Sequence, residues 1–586
     1  MYVISYHYLM YISRAFWTNK VGKTYESIWL RESYRDSDGK VKNRNIFNLK
    51  DWPEEAIALL QASLNAKNTS SSARGRPHGS KNINKLQNSN SMEAFYVRPE
   101  EIFIKQGPSI GALFTVYSIA QRLGIVSALG QDQQAKLALW QICARVIEQG
   151  SRLSAVRMAN IHAAASVINF DEGFTENELY DNLSWLDDNQ ERIENHLFES
   201  RSDKEGNKPH LFLYDVTSSY LEGEKNEYAH FGYNRDKKKG KCQIVIGLLC
   251  DAKGIPVAVE IFDGNTQDVK TVSSQLKKIK GRFGCCRVTF VGDRGMLKST
   301  SLSELSEIEF SYITGITKAQ IETLIRQEVI EYGLFDNTLC EVEHDGVRYI
   351  YRRNPQRAEE MENTRGKKKA KVEKLLSDKN IYLAKHAKAS CEKALKIVKE
   401  RINVLKLEGW LSVSLSEETP RELRLYVNEQ KLTEQSRLDG CYVLKTDLPA
   451  TVMTKEDVHA RYKDLTYVER AFREMKMAQL ELRPLHVRRK SSTRAHVFVV
   501  MLAYMITREL GYLWKEMDLT VQEGLHSLSM LTVNQVKFQT GLEMAKVPQA
   551  SEQNAKLLNA AGVEIPAYLI PNKVNIHTHK QTRKVS

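Results

Sequence analysis

The stretch Tyr462-Lys463-Asp464-Leu465-Thr466-Tyr467-Val468-Glu469-Arg470-Ala471-Phe472-Arg473-Glu474-Met475-Lys476 decides how the rest of the chain is interpreted. A helix would place on one face the residues that recur here at offsets of three and four: Tyr462, Leu465, Glu469, Phe472 and Lys476. A buried seam normally carries apolar side chains at every such position, because an unpaired carboxylate is costly in apolar surroundings. Glu469 therefore indicates either a functional acid or a plain amphipathic helix whose acid lies at the edge of its apolar stripe.

A capping signal marks where this helix should begin. Thr454, followed three residues later by Asp457, is similar to the capping box that opens many helices. The sequence therefore predicts a helix that begins just before Lys455 and continues through the stretch.

The composition is that of a large folded protein with a surplus of positive charge. A chain of 586 residues exceeds one hydrophobic core and predicts roughly three or four domains. Its 42% hydrophobic and 27% charged residues are ordinary for a soluble globular protein. The formal net charge of +13 favours polyanionic partners, above all nucleic acid, although a basic ribosomal or membrane-surface protein would share it.

Cysteine usage and apolar runs bear on the compartment. The eight cysteines form no Cys-x-x-Cys pair and have no neighbouring His at zinc-finger spacing, which indicates thiols in a reducing compartment. No charged-then-apolar leader opens the chain, and the longest apolar run, Val497 to Thr507, is too short to cross a bilayer. We expect a cytoplasmic, nucleoid-associated protein without a membrane partner.

The amino-terminal third contains three segments of different character. Residues 1–64 hold alternating segments at Thr24–Leu30 and Asn45–Leu49, which predict a small β-hairpin module. Residues 65–95 are rich in Ser, Asn, Lys and Gly, which is typical of a flexible basic linker. Residues 96–205 have a helical pattern.

Two of these segments have features that suit DNA. Within the linker, Ala73–Lys81 resembles an AT-hook, in which Arg74 and Arg76 would lie along a narrow A·T minor groove; a solvated basic linker is an equal alternative. In the helical region, Ala135–Gln149 and Ser154–Ala165 flank a Gly turn. They form either a helix-turn-helix for DNA or a plain helical hairpin.

Residues 206–320 change to apolar runs typical of strands. The predicted order is three strands at Leu211–Thr217, Cys242–Leu249 and Ile255–Phe262, a helix from Asn265 to about Lys280, a strand at Arg287–Gly295, a helix from Ser301 and a strand at Phe310–Ile316. Three strands, a crossover helix and then alternating strand and helix is the order of an RNase H-like α/β domain.

Two aspartates occupy special places in that order. Asp215 lies in the first strand and Asp293 just past the fourth, so they meet at one edge of the sheet if those strands are neighbours. Adjacent like charges are unfavourable unless a cation lies between them. Each aspartate alone is better explained as a turn or cap residue than as a ligand. With Glu469 they form a set of three acids, which suits two Mg²⁺ ions that promote phosphodiester chemistry.

At this point the sequence resembles the bacterial insertion-sequence DDE transposases, of the branch with a Tyr-x2-Arg-x3-Glu-x6-Lys motif. Tyr462, Glu469 and Lys476 match that motif, whereas Leu465 occupies its Arg position. The first and second acid motifs are matched by Tyr214–Thr217, followed by His230–Lys238, and by Val291–Gly295. The resemblance covers about residues 210 to 510.

The spacing of the acids agrees with the branch, which carries a β-rich insertion before its last acid. Asp293 follows Asp215 by 78 positions, but Glu469 follows Asp293 by 176, too many for a connection without structure of its own. The excess, residues 321–450, contains strand-like pieces and a Lys-rich helical tract: Thr338–Val342, Val347–Arg352, Gln356–Leu405, Leu423–Val427 and Cys441–Lys445. The resemblance would place this insertion over the active site. Residues 451–515 then complete the RNase H-like domain, and residues 516–586 form a carboxy-terminal tail region.

The resemblance implies a transposase that binds the terminal repeats of its element, cuts the strands by metal-dependent hydrolysis and joins the 3′ hydroxyl to target DNA. Asp215, Asp293 and Glu469 would be the catalytic residues and the ligands of Mg²⁺, for which Mn²⁺ can substitute. It implies double-stranded DNA partners, the element ends and the target, and a homodimer on DNA. The DNA-binding residues would be Tyr462, Lys476, Arg473, Arg235, Lys237 and Lys238.

Two alternatives stay open at the level of the sequence. An RNase H-fold DNA nuclease without strand transfer would keep the same acids. A catalytically inactive DNA-binding protein would keep the basic surface but would have no reason to retain all three acids.

Overall fold

The computed structural model describes residues 9–18, 24–35, 41–50, 57, 102–206, 208–236, 238–331, 333, 335–419, 421–477, 480–482, 485–538 and 543–580. The predicted linker with Arg74 and Arg76, and also Lys237, lie outside the described residues. The chain divides into two compact units, the first formed by Met1–Asn189 with Leu502–Ser586 and the second by Gln190–Met501.

The strands in the described residues are β1 (Leu9–Thr18), β2 (Thr24–Arg35), β3 (Val41–Asn48), β4 (Ile102–Ser109), β5 (Leu211–Tyr220), β6 (Gln243–Asp251), β7 (Pro256–Phe262), β8 (Thr289–Gly292), β9 (Ser311–Gly315), β10 (Cys340–His344), β11 (Val347–Arg353), β12 (Leu411–Leu415), β13 (Leu423–Val427), β14 (Cys441–Thr446), β15 (Thr532–Phe538) and β16 (Glu543–Lys546).

The α-helices in the same residues are α1 (Gly111–Arg122), α2 (Ile125–Leu129), α3 (Gln133–Ile147), α4 (Arg152–Ile161), α5 (Glu176–Glu205), α6 (Asp268–Lys277), α7 (Ser299–Glu307), α8 (Lys318–Arg326), α9 (Pro355–Lys385), α10 (Cys391–Val404), α11 (Glu429–Arg437), α12 (Lys455–Lys463), α13 (Leu465–Lys476), α14 (Lys490–Leu513), α15 (Val521–Ser529) and α16 (Glu552–Ala561). Short π-helical segments occur at Ala165–Asn169 and Lys278–Arg282.

The first unit contains the predicted amino-terminal β-hairpin. β2 pairs antiparallel with β3, and β1, which the sequence analysis did not predict, pairs antiparallel with β2. Buried side chains of this sheet and of the residues after it form a small core with residues of β4, β15 and β16: Ile12, Ile28, Leu30, Leu49 and Ile57, against Ile102, Val536 and Met544. The two helices predicted around Gly150 are present as α3 and α4.

The prediction that the chain is helical from residue 96 onward is wrong at its start. Ile102–Ser109 is a strand, β4, which pairs antiparallel with β15, and β15 also pairs with β16. The partner strand comes from the far end of the chain, so local sequence carries no signal for it. Tertiary pairing of this kind overrides local propensity.

The second unit is built on one eight-stranded sheet, in the order β10-β11-β14-β9-β8-β5-β6-β7. β5, β6 and β7 form an antiparallel meander, whereas β8 is parallel to β5 and β9 is parallel to β8. The first and fourth predicted strands, β5 and β8, are therefore neighbours, which confirms the condition set for the meeting of the two aspartates.

The segment between the second and third acids extends this sheet and adds helices. β14 pairs antiparallel with β9, and β11 and β10 continue outward from β14. The helices α9 and α10 form a second layer with the two-stranded sheet β12-β13 around their own apolar core, which includes Val372, Val398 and Trp410. The Lys-rich tract predicted over 356–405 is broken between α9 and α10, where Ser390 caps the second helix.

Helix α5 protects the edge strand β7. β7 is the last strand of the sheet and has no partner strand on its outer side, and such an edge invites pairing with other chains. Gln190 donates to the carbonyl of Val259, and Glu194 accepts the N–H of the same residue at 3.2 Å. Arg201 donates to the carbonyl of Pro256. Side chains of one helix thus form hydrogen bonds with three backbone groups at the outer edge of β7.

Helix α14 is long and apolar enough by length and composition to cross a membrane, and 72% of its most apolar window is buried inside the protein. A core helix of a folded protein passes the same test, so this feature alone says little about membranes.

Candidate active site

Strand alternation places Asp215 on the face of the sheet opposite the main core. Tyr214 and Val216 point into the core that α6 and α7 cover, so Asp215 and Thr217 point to the other face. Helix α13 packs on that other face, against β5 and β6. Asp215 therefore faces α13, the helix that carries Glu469, and does not enter the main core.

The parallel pairing of β5 and β8 brings the two aspartates side by side. Tyr214 is the register partner of Gly292, and Asp215 and Asp293 each follow one residue later. Asp293 begins the turn after β8 and is exposed. One of its carboxylate oxygens, Oδ1, accepts the N–H of Arg294 at 2.7 Å and the hydroxyl of Tyr462 at 3.0 Å. The predicted meeting of the aspartates at one edge therefore follows from the register.

Electrostatics shows that Glu469 belongs to the same cluster. The pKa of the Asp215 carboxyl is raised to about 7, chiefly by burial, and the negative charges of Asp293 and Glu469 raise it further. A hydrogen bond from the N–H of Val216 to Asp215 Oδ1, at 2.8 Å, opposes this effect. The charges of Asp293 and Glu469 thus lie close enough to Asp215 to act on its carboxyl group.

The prediction of one helix that continues past Lys463 is wrong, because α12 ends at Lys463 and α13 begins at Leu465, with Asp464 between them. Thr454 caps α12 as predicted, by accepting the N–H of Asp457 at 3.1 Å. Asp464 then ends α12 and precedes α13, and its side chain forms an ion pair with Arg461 at 3.1 Å. Aspartate is a poor residue for a helix interior, and the break lets Tyr462 reach Asp293 from a separate helix.

The apolar stripe of α13 is shifted from the predicted face. Its buried residues are Leu465, Val468, Ala471, Phe472, Met475 and Lys476, while Glu469 is exposed beside them. Glu469 therefore lies at the edge of the apolar stripe, as expected for a plain amphipathic helix. Its charge nevertheless acts on Asp215. The two interpretations of this helix are compatible.

The donor set of the three acids fits a hard divalent cation chemically. Carboxylate oxygens are the ligands that Mg²⁺ prefers, and a cation would stabilise the ionised Asp215 carboxylate against the burial and the neighbouring negative charges that raise its pKa. As the side chains stand, no group of three His, Cys, Asp or Glu residues among those described is arranged to hold a metal ion. Binding would therefore require a rearrangement of these side chains.

Lys476, predicted to contact DNA, is buried in this structure. Its ammonium group donates to Thr217 Oγ1 at 2.5 Å, to the carbonyl of Ser218, and to Asp236 Oδ1 at 3.2 Å. Because these groups occupy it, the DNA contact of Lys476 stays a prediction.

The other predicted DNA-binding residues of this unit occupy different settings. Arg235 donates to both carboxylate oxygens of Asp268 at 2.7 Å, so its guanidinium is committed within the protein. Lys238 is exposed, with its ammonium 5.7 Å from the ring centre of Tyr220. Arg473 is exposed on α13. Their contacts with DNA also stay predictions.

The sequence analysis missed Asp236 and Asp268 as partners of two predicted basic residues. Asp236 lies inside the segment His230–Lys238, and its signal is a lone acid within a basic run. Asp268 opens α6 and gives no signal in the sequence beyond the ordinary preference for acids at helix starts.

Comparison with known proteins agrees with these observations. The profile of the family described as Transposase DDE domain matches residues 206–506, and that of IS1634 family transposase, N-terminal domain, matches residues 17–77. No curated protein matches the sequence. Among solved structures, a cryo-EM structure of the piggyBac transposase synaptic complex with hairpin DNA aligns with a TM-score of 0.30 and 8% identity, over 77% of this chain and 70% of that chain. This structural similarity is too distant to assign a fold or a function.

The protein is a transposase with a DDE catalytic domain, because the first match covers more than half of the chain. Within that class, residues 17–77 are similar to the amino-terminal domain of the IS1634 family of transposases. Its enzyme class cleaves DNA and transfers strands. The predicted resemblance to an insertion-sequence DDE transposase is thus confirmed at the level of the family.

Proposed function

We propose that Asp215, Asp293 and Glu469 are the catalytic acids of this transposase and that they hold Mg²⁺ jointly. The observation that carries the proposal is the parallel register that sets Asp215 beside Asp293, together with the effect of the charges of Asp293 and Glu469 on the pKa of Asp215. The structural elements that carry them are far apart in sequence. Repelling carboxylates on separate elements are costly unless they serve a cation.

When bound, the divalent cation would activate the attacking water or hydroxyl and stabilise the leaving oxygen of the phosphodiester. The protein's own contribution is the position of its carboxylates. The hydroxyl of Tyr462 holds one oxygen of Asp293, and the apolar stripe of α13 holds Glu469 beside β5. Mn²⁺ would substitute, because it also prefers oxygen ligands.

We further propose an RNase H-like domain of the Tyr-Arg-Glu-Lys branch, with the segment 321–450 as its insertion over the site. The meander β5-β6-β7 followed by parallel β8 and β9 supports this fold. Leu465, at the motif's Arg position, is buried at the start of α13, which suits packing rather than phosphate contact. Binding of terminal repeats, a homodimer on DNA and the domain boundaries given above remain part of this proposal.

The test uses purified protein, DNA that carries the ends of its own element, and Mg²⁺. Wild type should yield cut ends and strands joined to target DNA, and chelation should abolish both products. Glu469→Gln should lose both. Glu474→Gln is the matched control, because Glu474 lies on the same helix but forms an ion pair with Arg470. This variant should retain both products.

The outcomes separate the rival functions. Cut ends without joined strands, under conditions where a target is present, would favour a nuclease. End binding without cutting would favour a catalytically inactive DNA-binding protein. Cleavage that survives Asp215→Ala would refute the assignment of the acids.

A further inference from the structure

The ammonium group of Lys476 is unusual because it is buried beside the candidate catalytic acids. The side chain is 8% exposed and donates to Thr217 and Ser218 of β5, the strand that carries Asp215. Lys476 is the last residue of α13 and follows Glu469 by seven positions, or about two helical turns. It therefore fastens the end of the Glu469 helix to the Asp215 strand.

The negative charge that balances this ammonium comes from Asp236, in the loop between β5 and β6. The Asp236 side chain is 3% exposed, and its Oδ1 lies 3.2 Å from Lys476 Nζ. Its other oxygen, Oδ2, accepts the N–H of Tyr220 at the end of β5 at 3.2 Å. One carboxylate thus binds both the helix end and the strand end.

Burial makes this ion pair sensitive to the loss of either member. A buried pair adds little when compared with apolar packing, but the removal of one partner leaves the other as an uncompensated buried charge. Without the charge of Asp236, the Lys476 ammonium would be expected to leave the site toward water. The tie between the end of α13 and β5 would then be lost, and Glu469 lies on the same helix.

We propose that Asp236 is a positioning residue, which keeps Lys476 on β5 and so keeps Glu469 in reach of Asp215 for cation binding. The inference rests on the proposed function of the three acids. It also assigns Lys476 a structural role toward Glu469, in place of a direct contact with a DNA phosphate.

The first test measures cation binding directly, by the loss of the electron paramagnetic resonance signal of free Mn²⁺ on addition of the protein bound to element-end DNA. Asp236→Asn should weaken Mn²⁺ binding at least tenfold, and cleavage should require correspondingly more metal. Asp236→Glu, which restores the charge, should recover part of the affinity.

The matched control is Glu194→Gln, which removes the charge from another buried ion pair of the same unit, with Arg282. Its pair lies at the edge strand β7 and does not contact the three acids. It should lower the urea midpoint of unfolding as Asp236→Asn does, yet leave the Mn²⁺ affinity unchanged. Equal Mn²⁺ affinity in wild type and Asp236→Asn, or an equal loss in Glu194→Gln, would overturn the proposal.

Should Asp236→Asn fail to fold, the double variant Asp236→Asn with Lys476→Met removes both charges and restores a neutral interior. It should fold but bind Mn²⁺ weakly, because the tie to Thr217 and Ser218 is gone. Wild-type affinity in this variant would overturn the proposal. If wild type itself neither binds Mn²⁺ nor cuts, the assignment of the acids fails instead.

The role of Lys476 is tested separately by the salt dependence of end binding. A lysine on a phosphate contributes about 0.9 to the slope of log K against log salt concentration. Lys476→Met should leave this slope unchanged while it lowers the Mn²⁺ affinity. A slope reduced by about 0.9, with normal Mn²⁺ affinity, would place Lys476 on DNA and overturn the positioning role.

Discussion

Gly315, the last residue of β9, leaves room for the hydroxyl of Tyr462. A Cβ atom at position 315 would lie 2.8 Å from the Tyr462 hydroxyl oxygen and 3.3 Å from its Cζ. The first distance is too short for any real contact, so Gly315→Ala should push the hydroxyl away from Asp293. Its 3.0 Å hydrogen bond to that carboxylate would then be lost.

The size of the effect follows from that hydrogen bond. A bond to a charged group is worth about 1.5–3 kcal/mol when buried, and we take about 1 kcal/mol because Asp293 is exposed. That value corresponds to a roughly fivefold lower rate of strand cleavage. Tyr462→Phe removes the same bond and should have the same effect.

The double variant of Gly315→Ala and Tyr462→Phe provides the decisive measurement. Phenylalanine lacks the hydroxyl that meets the new Cβ, so only the 3.3 Å approach to the ring remains, which a shift of a few tenths of an ångström relieves. Single-turnover cleavage of element-end DNA should therefore be about as fast in the double variant as in Tyr462→Phe alone. The control is Gly281→Ala, where a Cβ has open space and the rate should be unchanged. Multiplicative losses, roughly 25-fold together, would refute the reasoning.

Three further outcomes are expected. Glu194→Ala should lower the free energy of unfolding by about 3–5 kcal/mol in urea titration, because it removes the negative charge beside the buried Arg282 guanidinium and the acceptor of the Val259 N–H; a loss below about 1 kcal/mol would contradict this. Because the folded-state pKa of Asp215 is raised to about 7, its ionisation costs stability as the pH rises from 4 through 7. Metal-free Asp215→Asn should therefore gain about 4 kcal/mol over wild type at pH 8 and little at pH 4, as thermal unfolding would show. Leu465→Arg should lower cleavage, since the site is 7% exposed and would bury an unpaired charge; a higher rate would mean that the leucine marks a degraded enzyme.

The sheet that carries the first two acids could be predicted from the sequence. The strands β5 to β9 lie within a few residues of their predicted bounds, because strands buried on both faces are continuous apolar runs. Asp215 and Asp293 interrupt or end such runs, which is why they were found. The register that aligns them follows once β5 and β8 are parallel neighbours.

The features that sequence reasoning missed depend on partners distant in the chain. The strand β4 exists because β15 pairs with it, and its local pattern does not separate it from the helices that follow. Asp464 alone separates α12 from α13, yet it places Tyr462 and Glu469 on different helices. The burial of Lys476 depends on Asp236, which lies 240 positions earlier in the chain.

These misses change how the motif around Glu469 is understood. The pattern of tyrosine, glutamate and lysine suggests side chains that face DNA, but in this structure the tyrosine holds Asp293 and the lysine holds β5 beside Asp215. Tyr462, before Glu469 in the motif, thus contacts Asp293, and Lys476, after it, contacts the strand of Asp215. Leu465 takes part through packing, since it opens the buried stripe of α13. Because Tyr462 binds Asp293 and Lys476 binds the strand of Asp215, both ends of the motif are held within the protein before any DNA is bound.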